Sequence, residues 1–253
     1  MQNFFVPKRN IVDKLVIING SQLRHIRDVV RKRKGDLIRI FDEGGYLYLV
    51  ELMSVTREKI EGKIVKRLRG SAEPRLTINL YQCIPKSNKM DLIVQKCTEI
   101  GVFSIHPIIS NRTIVRPSTK DHKIKRWQRI AQGASEQSRR AIVPRIFEPQ
   151  IFSEVIREIK SRYDKDGFFR LILWEEERQN TLKGFLKENL IPKIANPKLD
   201  LFIGPEGGFT KTEVDLAKRS GMKSVSLGNR IMRTETAGLI SIALILYEYG
   251  DLG

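Results

Sequence analysis

Cysteine is almost missing from this chain: Cys83 and Cys97 are the only two in 253 residues. Two cysteines build no disulfide framework, and neither belongs to a closely spaced metal-type pair. Histidine is as scarce, with His25, His106 and His122 scattered along the chain, so no metal ligand set is expected. The apolar stretch near the C-terminus, Leu239 to Leu246, falls well short of the roughly 18 apolar residues that a membrane span needs. The opening Met1-Gln-Asn-Phe-Phe has no basic segment followed by an apolar one, so no secretory signal is expected and a reducing cytoplasm is the expected compartment. Acidic residues are short as well: 29 Asp and Glu face 46 Lys and Arg, a net charge of +17. Such an excess points to a polyanionic partner, of which nucleic acid is the commonest.

What remains is an ordinary globular composition, 41% apolar, in a length that suits two domains, because single cores stop growing near roughly 250–300 residues. Residues 1–72 read as β-rich. Leu37-Ile-Arg-Ile-Phe41 alternates, Asp42-Glu-Gly-Gly45 is a turn cluster, and Tyr46 to Leu52 and Lys59 to Leu68 resume as strands, a spacing that suits a small barrel. One helix is expected within it, capped by Ser21 and running to about Lys34 before Gly35-Asp36. Gly70 to Pro74 reads as a linker. Over 73–253, strand-like runs (76–83, 103–109, 168–174, 199–203, 224–227) alternate with helical ones (89–100, 124–138, 152–161, 181–188, 213–219, 235–248). This alternation implies an α/β domain with a mostly parallel sheet.

The basic excess is concentrated. Residues 1–75 hold 17 Lys and Arg against 9 Asp and Glu, about half of the net charge. Lys8 and Arg9 lead; Arg24, Arg27 and Arg31 are spaced to share one helix face. A second basic set follows at Lys86, Lys89, Arg112, Arg116, Arg139 and Arg140. Surfaces of this kind neutralise phosphates and release counterions without reading sequence. Phe4 and Phe5 are candidates either for base stacking or for the core.

Two glycine-bearing segments carry the chemistry. Leu199-Asp-Leu-Phe-Ile203 is a buried-strand run that empties into Gly204-Pro-Glu-Gly-Gly208, and Thr210 with Glu213 forms a capping-box signature for the next helix. Strand, glycine loop and helix N-terminus is where open α/β sheets bind ligands. The loop matches neither the phosphate-cradling Gly-Lys-Ser/Thr pattern nor Gly-x-Gly-x-x-Gly, which argues against a nucleotide-hydrolysing enzyme. A second short strand ends at Gly228, followed by Asn229 to Ala237 and a nearly all-apolar helix whose start Thr234 or Thr236 could cap. Burial of that helix is required, within the chain or against a second subunit.

At these residues the chain resembles the small-subunit ribosomal RNA uridine N3-methyltransferases, a branch of the SPOUT superfamily. Gly204-Pro-Glu-Gly-Gly208 and Leu227-Gly-Asn-Arg-Ile-Met-Arg-Thr-Glu-Thr-Ala237 look like that family's two signature loops. Lys89-Met-Asp, Gln95-Lys, Glu99-Ile-Gly101, Trp127-Gln, Glu136-Gln-Ser138 and the closing Gly250 to Gly253 fit as well. Arg139 departs from the pattern: the family usually has glycine there, before an arginine matched by Arg140.

The resemblance implies a C-terminal trefoil-knotted SPOUT-type α/β domain (73–253) after a small PUA-like RNA-binding β-barrel (1–72). It implies S-adenosylmethionine as cofactor, a homodimer through the knotted domain, and one uridine of small-subunit ribosomal RNA, within an assembled subunit, as substrate. Cofactor contacts are expected from Leu173, Gly204, Pro205, Glu206, Gly207, Gly208, Leu227, Gly228, Ile231, Met232, Thr234 and Ala237. Arg233 is the candidate for orienting uracil or balancing its charge. Glu235 is the candidate proton acceptor, unless it only serves the helix dipole. RNA contacts are expected from Lys8, Arg9, Arg24, Arg27, Lys86, Lys89 and Arg112. The rival readings are a non-catalytic RNA-binding ribosome-assembly factor, and a related methyltransferase acting on another RNA, such as transfer RNA, or on a ribose hydroxyl.

Overall fold

Alternating apolar and polar residues become strands wherever a sheet can bury one face, and the first sheet of this chain follows that rule. The computed structural model describes residues 3–42, 44–68, 73–115, 122–160, 168–189 and 197–252. The chain divides into two compact units: Met1–Glu73 with Gln132–Val143, and Pro74–Ala131 with Pro144–Gly253. The expected linker at 70–74 lies mostly outside the described residues, as do Arg116 and the last residue of the closing Gly250–Gly253 motif.

In the first unit, six strands form one sheet: β1 (Asn3–Phe5), β2 (Ile11–Val12), β3 (Leu15–Ile18), β4 (Leu37–Phe41), β5 (Leu47–Val55) and β6 (Ile60–Leu68). Their order is β1-β4-β5-β6-β3-β2, antiparallel except for β1 beside β4. Register shifts in the β5–β6 pair at Leu49/Val50 and Leu52/Ser54 curl the sheet into a half-barrel, since an extra residue bends its strand. Phe4, Val16, Ile18, Ile38, Ile40, Val50, Leu52 and Ile60 fill its concave side. Phe4 is therefore a core residue, and only Phe5 remains half-buried.

The helix expected from Ser21 to Lys34 is shorter. α1 spans Gly20–Arg24, with Asn19 rather than Ser21 at its N-cap, and widens into a π-type turn at His25–Val29. That turn keeps Leu23 and Ile26 in the core. Beyond it Arg31 takes φ +60° and leaves the helix, so the expected three-arginine face is reduced to Arg24 and Arg27. Arg27 folds back onto Asp28, at 2.6 and 2.7 Å, and onto the Thr56 carbonyl.

The second unit is a parallel sheet with helices. Its strands are β7 (Thr77–Cys83), β8 (Ser104–Ile109), β9 (Arg145–Ile146), β10 (Gln150–Ile151), β11 (Phe168–Leu173), β12 (Lys198–Ile203) and β13 (Lys223–Val225). The order is β10-β8-β7-β12-β11-β13, with β9 also on β8, and every pair is parallel. Buried on both faces, β11 and β12 read as nearly continuous apolar runs. The helices are α2 (Lys89–Ile100), α4 (Phe152–Lys160), α5 (Leu182–Glu188), α6 (Lys211–Arg219) and α7 (Thr234–Glu248), while α3 (His122–Gln137) begins in this unit and from Gln132 on belongs to the first. Phe152, Val155, Ile156, Phe202, Phe209, Val214 and Ala217 form one core cluster. α7 packs on α2. The two-residue strands β9 and β10 were not foreseen, being too short to show periodicity.

The end of α3 explains the departure at Arg139. The Arg140 amide donates to the Ser135 carbonyl at 3.0 Å, and Arg139 sits at φ +63°. This is a Schellman termination, whose left-handed position is usually glycine. Next in the chain, buried Arg140 pairs with Glu73 at 2.7 Å, and the Glu73 carboxylate also accepts the amides of Ala141 and Ile142. The turn thus forms despite the side chain, at the cost of left-handed strain. Arg139→Gly is expected to raise the unfolding free energy by about 1 kcal/mol. Denaturant titration checks it; equal or lower stability would show that the strain is absent.

Candidate active site

Every strand of the second sheet points the same way, so their C-terminal ends share one edge. Because β11 lies between β12 and β13, three loops leave that edge side by side. The loop after β12 is Gly204–Gly208; the loop after β13 runs from Ser226 to Arg233; between them, after β11, come Trp174, Glu175 and Arg178. Together with Lys89 of α2 and Ala237 of α7 they enclose a cleft of about 480 Å³, well within the roughly 300–1,000 Å³ of small-molecule sites.

Of the twelve residues expected to touch a cofactor, eleven line this cleft: Leu173, Gly204, Pro205, Glu206, Gly208, Leu227, Gly228, Ile231, Met232, Thr234 and Ala237. Gly207 does not; its carbonyl turns outward and accepts from the Arg112 guanidinium at 2.7 Å. Arg233 lines the cleft. Glu235 lies behind the wall, its side chain 12% exposed, and reaches the cleft through Lys89, whose ammonium stands 3.3 Å from it and 3.6 Å from Glu206. Lys89, expected on an RNA-facing surface, is thus a cleft residue. Lys8, Arg9, Arg24, Lys86 and Arg112 are exposed and Arg27 half-exposed; Lys86 and Arg112 belong to the second unit, the other four to the first.

Local chemistry shapes the loops. Gly208 has φ +68°, and the Glu175 carboxylate lies against its Cα, where any Cβ would come within 1.9 Å of the oxygen. Gly228 has φ +102° and open space in front of its Cα, so a flat ligand can approach the backbone there. Thr210 and Glu213 form the expected capping box. Thr234 does not cap its own helix: its hydroxyl donates instead to the Gly204 carbonyl at 2.6 Å, and the N-cap is Arg233. Burial raises the pKa of Glu206, but hydrogen bonds from its own amide and that of Lys86, with the nearby Lys89 ammonium, outweigh it and hold the carboxyl below the usual range.

Sequence reading missed Trp174, Glu175, Arg178, Ile203, Val225, Ser226, Asn229 and Arg230. The first three directly follow a strand end, which was a usable signal. Which strand stands beside β12 was not legible. The loop carrying them is pinned by Glu177, whose carboxylate accepts from Ser224 at 2.7 Å, Lys218 at 3.1 Å and the amides of Gln179 and Asn180. Burial pushes this carboxyl up, but those four donors prevail and bring it down to about 2 from 4.5. A depressed pKa contributes stability above the unfolded value, and that contribution is lost as pH falls through the folded one. Glu177→Gln should therefore destabilise the protein at pH 7, with the difference from wild type shrinking between about pH 4.5 and about pH 2. Denaturation across that window tests this, and a pH-independent difference would contradict it.

A family model described as an RNA methyltransferase domain matches residues 72–246, and one described as an RNA methyltransferase PUA domain matches residues 18–65. Ribosomal RNA small subunit methyltransferase E of Bacillus subtilis is 31% identical, covering 98% of this chain and 97% of that protein. The Aquifex aeolicus protein of the same name is 32% identical, covering 98% and 100%. Among solved structures, a ribosomal RNA small subunit methyltransferase E from Neisseria gonorrhoeae bound to S-adenosyl methionine superimposes with a TM-score of 0.82 at 30% identity, covering 98% and 97%. A Legionella pneumophila methyltransferase in complex with the same cofactor gives 0.81 at 26%, covering 97% and 96%. The fold is thus the SPOUT-type α/β domain preceded by a PUA-like curled sheet, and the chain belongs to the ribosomal RNA small subunit methyltransferase E family.

Proposed function

We propose that this protein transfers a methyl group from S-adenosylmethionine to N3 of one uridine in small-subunit (16S) ribosomal RNA, within the assembled subunit, as a cytoplasmic homodimer. The observation that carries the reading is the convergence of two glycine-bearing loops on one cleft that also presents an arginine and a lysine. The cleft fits the cofactor: Gly228 leaves its Cα face bare, Glu175 and Glu206 supply acceptors, and Leu173, Ile203, Leu227 and Ile231 supply apolar walls. The cofactor, when bound, supplies a methyl group already activated on a sulfonium. The protein's share is to align uracil and to stabilise charge that develops as N3 loses its proton. Alignment lowers such barriers by about 7–11 kcal/mol in favourable cases. Arg233, as a planar guanidinium, would hold the uracil oxygens. Glu235 would accept the proton, held by Lys89.

RNA would be bound by Lys8, Arg9, Arg24 and Arg27 in the first unit and by Lys86 and Arg112 beside the cleft. Phosphate neutralisation by such residues makes binding salt-dependent. The dimer reading is supported by α7, which is apolar yet leaves Leu244 46% and Tyr247 67% exposed; Leu92 of α2, the helix packed on α7, is 48% exposed.

Three measurements test the proposal. Mass spectrometry of 16S RNA from a deletion strain should show loss of one N3-methyluridine, restored by wild-type protein. Arg233→Ala should keep cofactor binding but slow transfer by about 10²–10³-fold; unchanged transfer would remove Arg233 from the chemistry. For the dimer, Leu244→Asp with Tyr247→Asp should yield a monomer by sedimentation, whereas a wild-type monomer would refute it.

A further inference from the structure

Gln82, next to last in β7, is fully buried, yet it does not line the cleft. A buried amide is costly unless its groups are paired. Its Nε2 donates to the Cys83 carbonyl at 3.1 Å and to the Thr234 hydroxyl oxygen at 2.9 Å. The carbonyl acceptor dictates the orientation, since only an N–H can meet it. The other amide atom, Oε1, is buried without a hydrogen-bond partner among the described residues. Gly238 of α7 makes room for it: a Cβ there would stand 3.2 Å from Oε1. Keeping an unmatched oxygen and a mid-helix glycine costs stability on both counts.

The direction of the hydrogen bonds gives that cost a purpose. The Thr234 hydroxyl has one proton. Because Gln82 offers it a donor and no acceptor, the proton is directed to the Gly204 carbonyl, 2.6 Å away. We infer that Gln82 is a positioning residue: through Thr234 it clamps the loop after β12 to the segment entering α7, and so sets the width of the cleft. Gly204 opens the first loop, Thr234 closes the second, and Gln82 joins both to β7.

The clamp can be tested without any ligand by amide hydrogen exchange. The Gly208 amide donates to the Pro205 carbonyl, and the Thr236 and Ala237 amides donate to the Arg233 carbonyl. In Gln82→Met, which keeps the volume, and Gln82→Glu, which can accept the Thr234 proton, exchange at these amides should quicken about tenfold, the size expected from losing one buried hydrogen bond. Rates in the first unit should not change. Thr234→Val should match them, Thr234→Ser should behave as wild type, and the double variant Gln82→Met, Thr234→Val should be no faster than either single change. Melting curves identify any variant that fails to fold, and the remaining ones carry the same test.

The functional consequence rests on the proposed cofactor: calorimetry with S-adenosylmethionine should give about tenfold weaker binding in Gln82→Met and Gln82→Glu. Wild-type exchange in both Gln82 variants, or independent effects in the double variant, would overturn the clamp. Faster exchange in a protein that binds no S-adenosylmethionine even as wild type would overturn the cofactor reading and leave the clamp standing.

Discussion

The hydroxyl of Thr234, hydrogen-bonded to the carbonyl of Gly204, joins two segments that leave the sheet from strands which are not neighbours. β11 stands between them. After the edge strand β13 the chain must therefore travel back across the ends of β11 and β12 before α7 can begin at Thr234, beside β7 and on α2. This return path leaves a pocket beneath it. The cleft is thus a consequence of strand order, and the glycines keep its walls close to bare backbone.

Charge is arranged differently in the cleft and over the rest of the chain. The protein as a whole carries +17, yet within the cleft cations and carboxylates are interleaved. Lys89 stands between Glu206 and Glu235, and Arg178, Arg230 and Arg233 share the lining with Glu175 and Glu206. Behind the wall, Glu177 gathers four donors. Groups fixed in this way reorganise little during a reaction, which is how a preformed polar site lowers a barrier. The unbalanced positive charge is left to exposed side chains such as Arg9, Arg24 and Arg112, where long-range attraction of a polyanion is useful.

Arg139 illustrates how a local rule yields to its surroundings. A left-handed C-terminal residue favours glycine, yet the turn closes around an arginine, because the bond from Arg140 to Ser135 and the Glu73 pairing of Arg140 hold it on both sides. The π-type turn after α1 is a second instance. Regular helical spacing predicted three arginines on one face, but burial of Leu23 and Ile26 decided where the helix ended.

Most helices and long strands of the second unit were legible from residue order, because their apolar periodicity, the capping box at Thr210 and the glycines at strand ends are local properties. The two loop segments were recognisable for the same reason, each being continuous in the chain. Strands of two residues escaped, as did the partners of each loop. Nothing near Trp174 says that β11 lies beside β12, nothing near Lys89 says that it faces Glu235, and nothing near Gln82 says that its amide meets Thr234, 152 residues away. Sequence determines periodicity, caps and charge, since those depend on neighbours along the chain. Only the tertiary structure decides which strand ends adjoin, and so which side chains share the cleft, since that depends on packing between segments far apart in sequence.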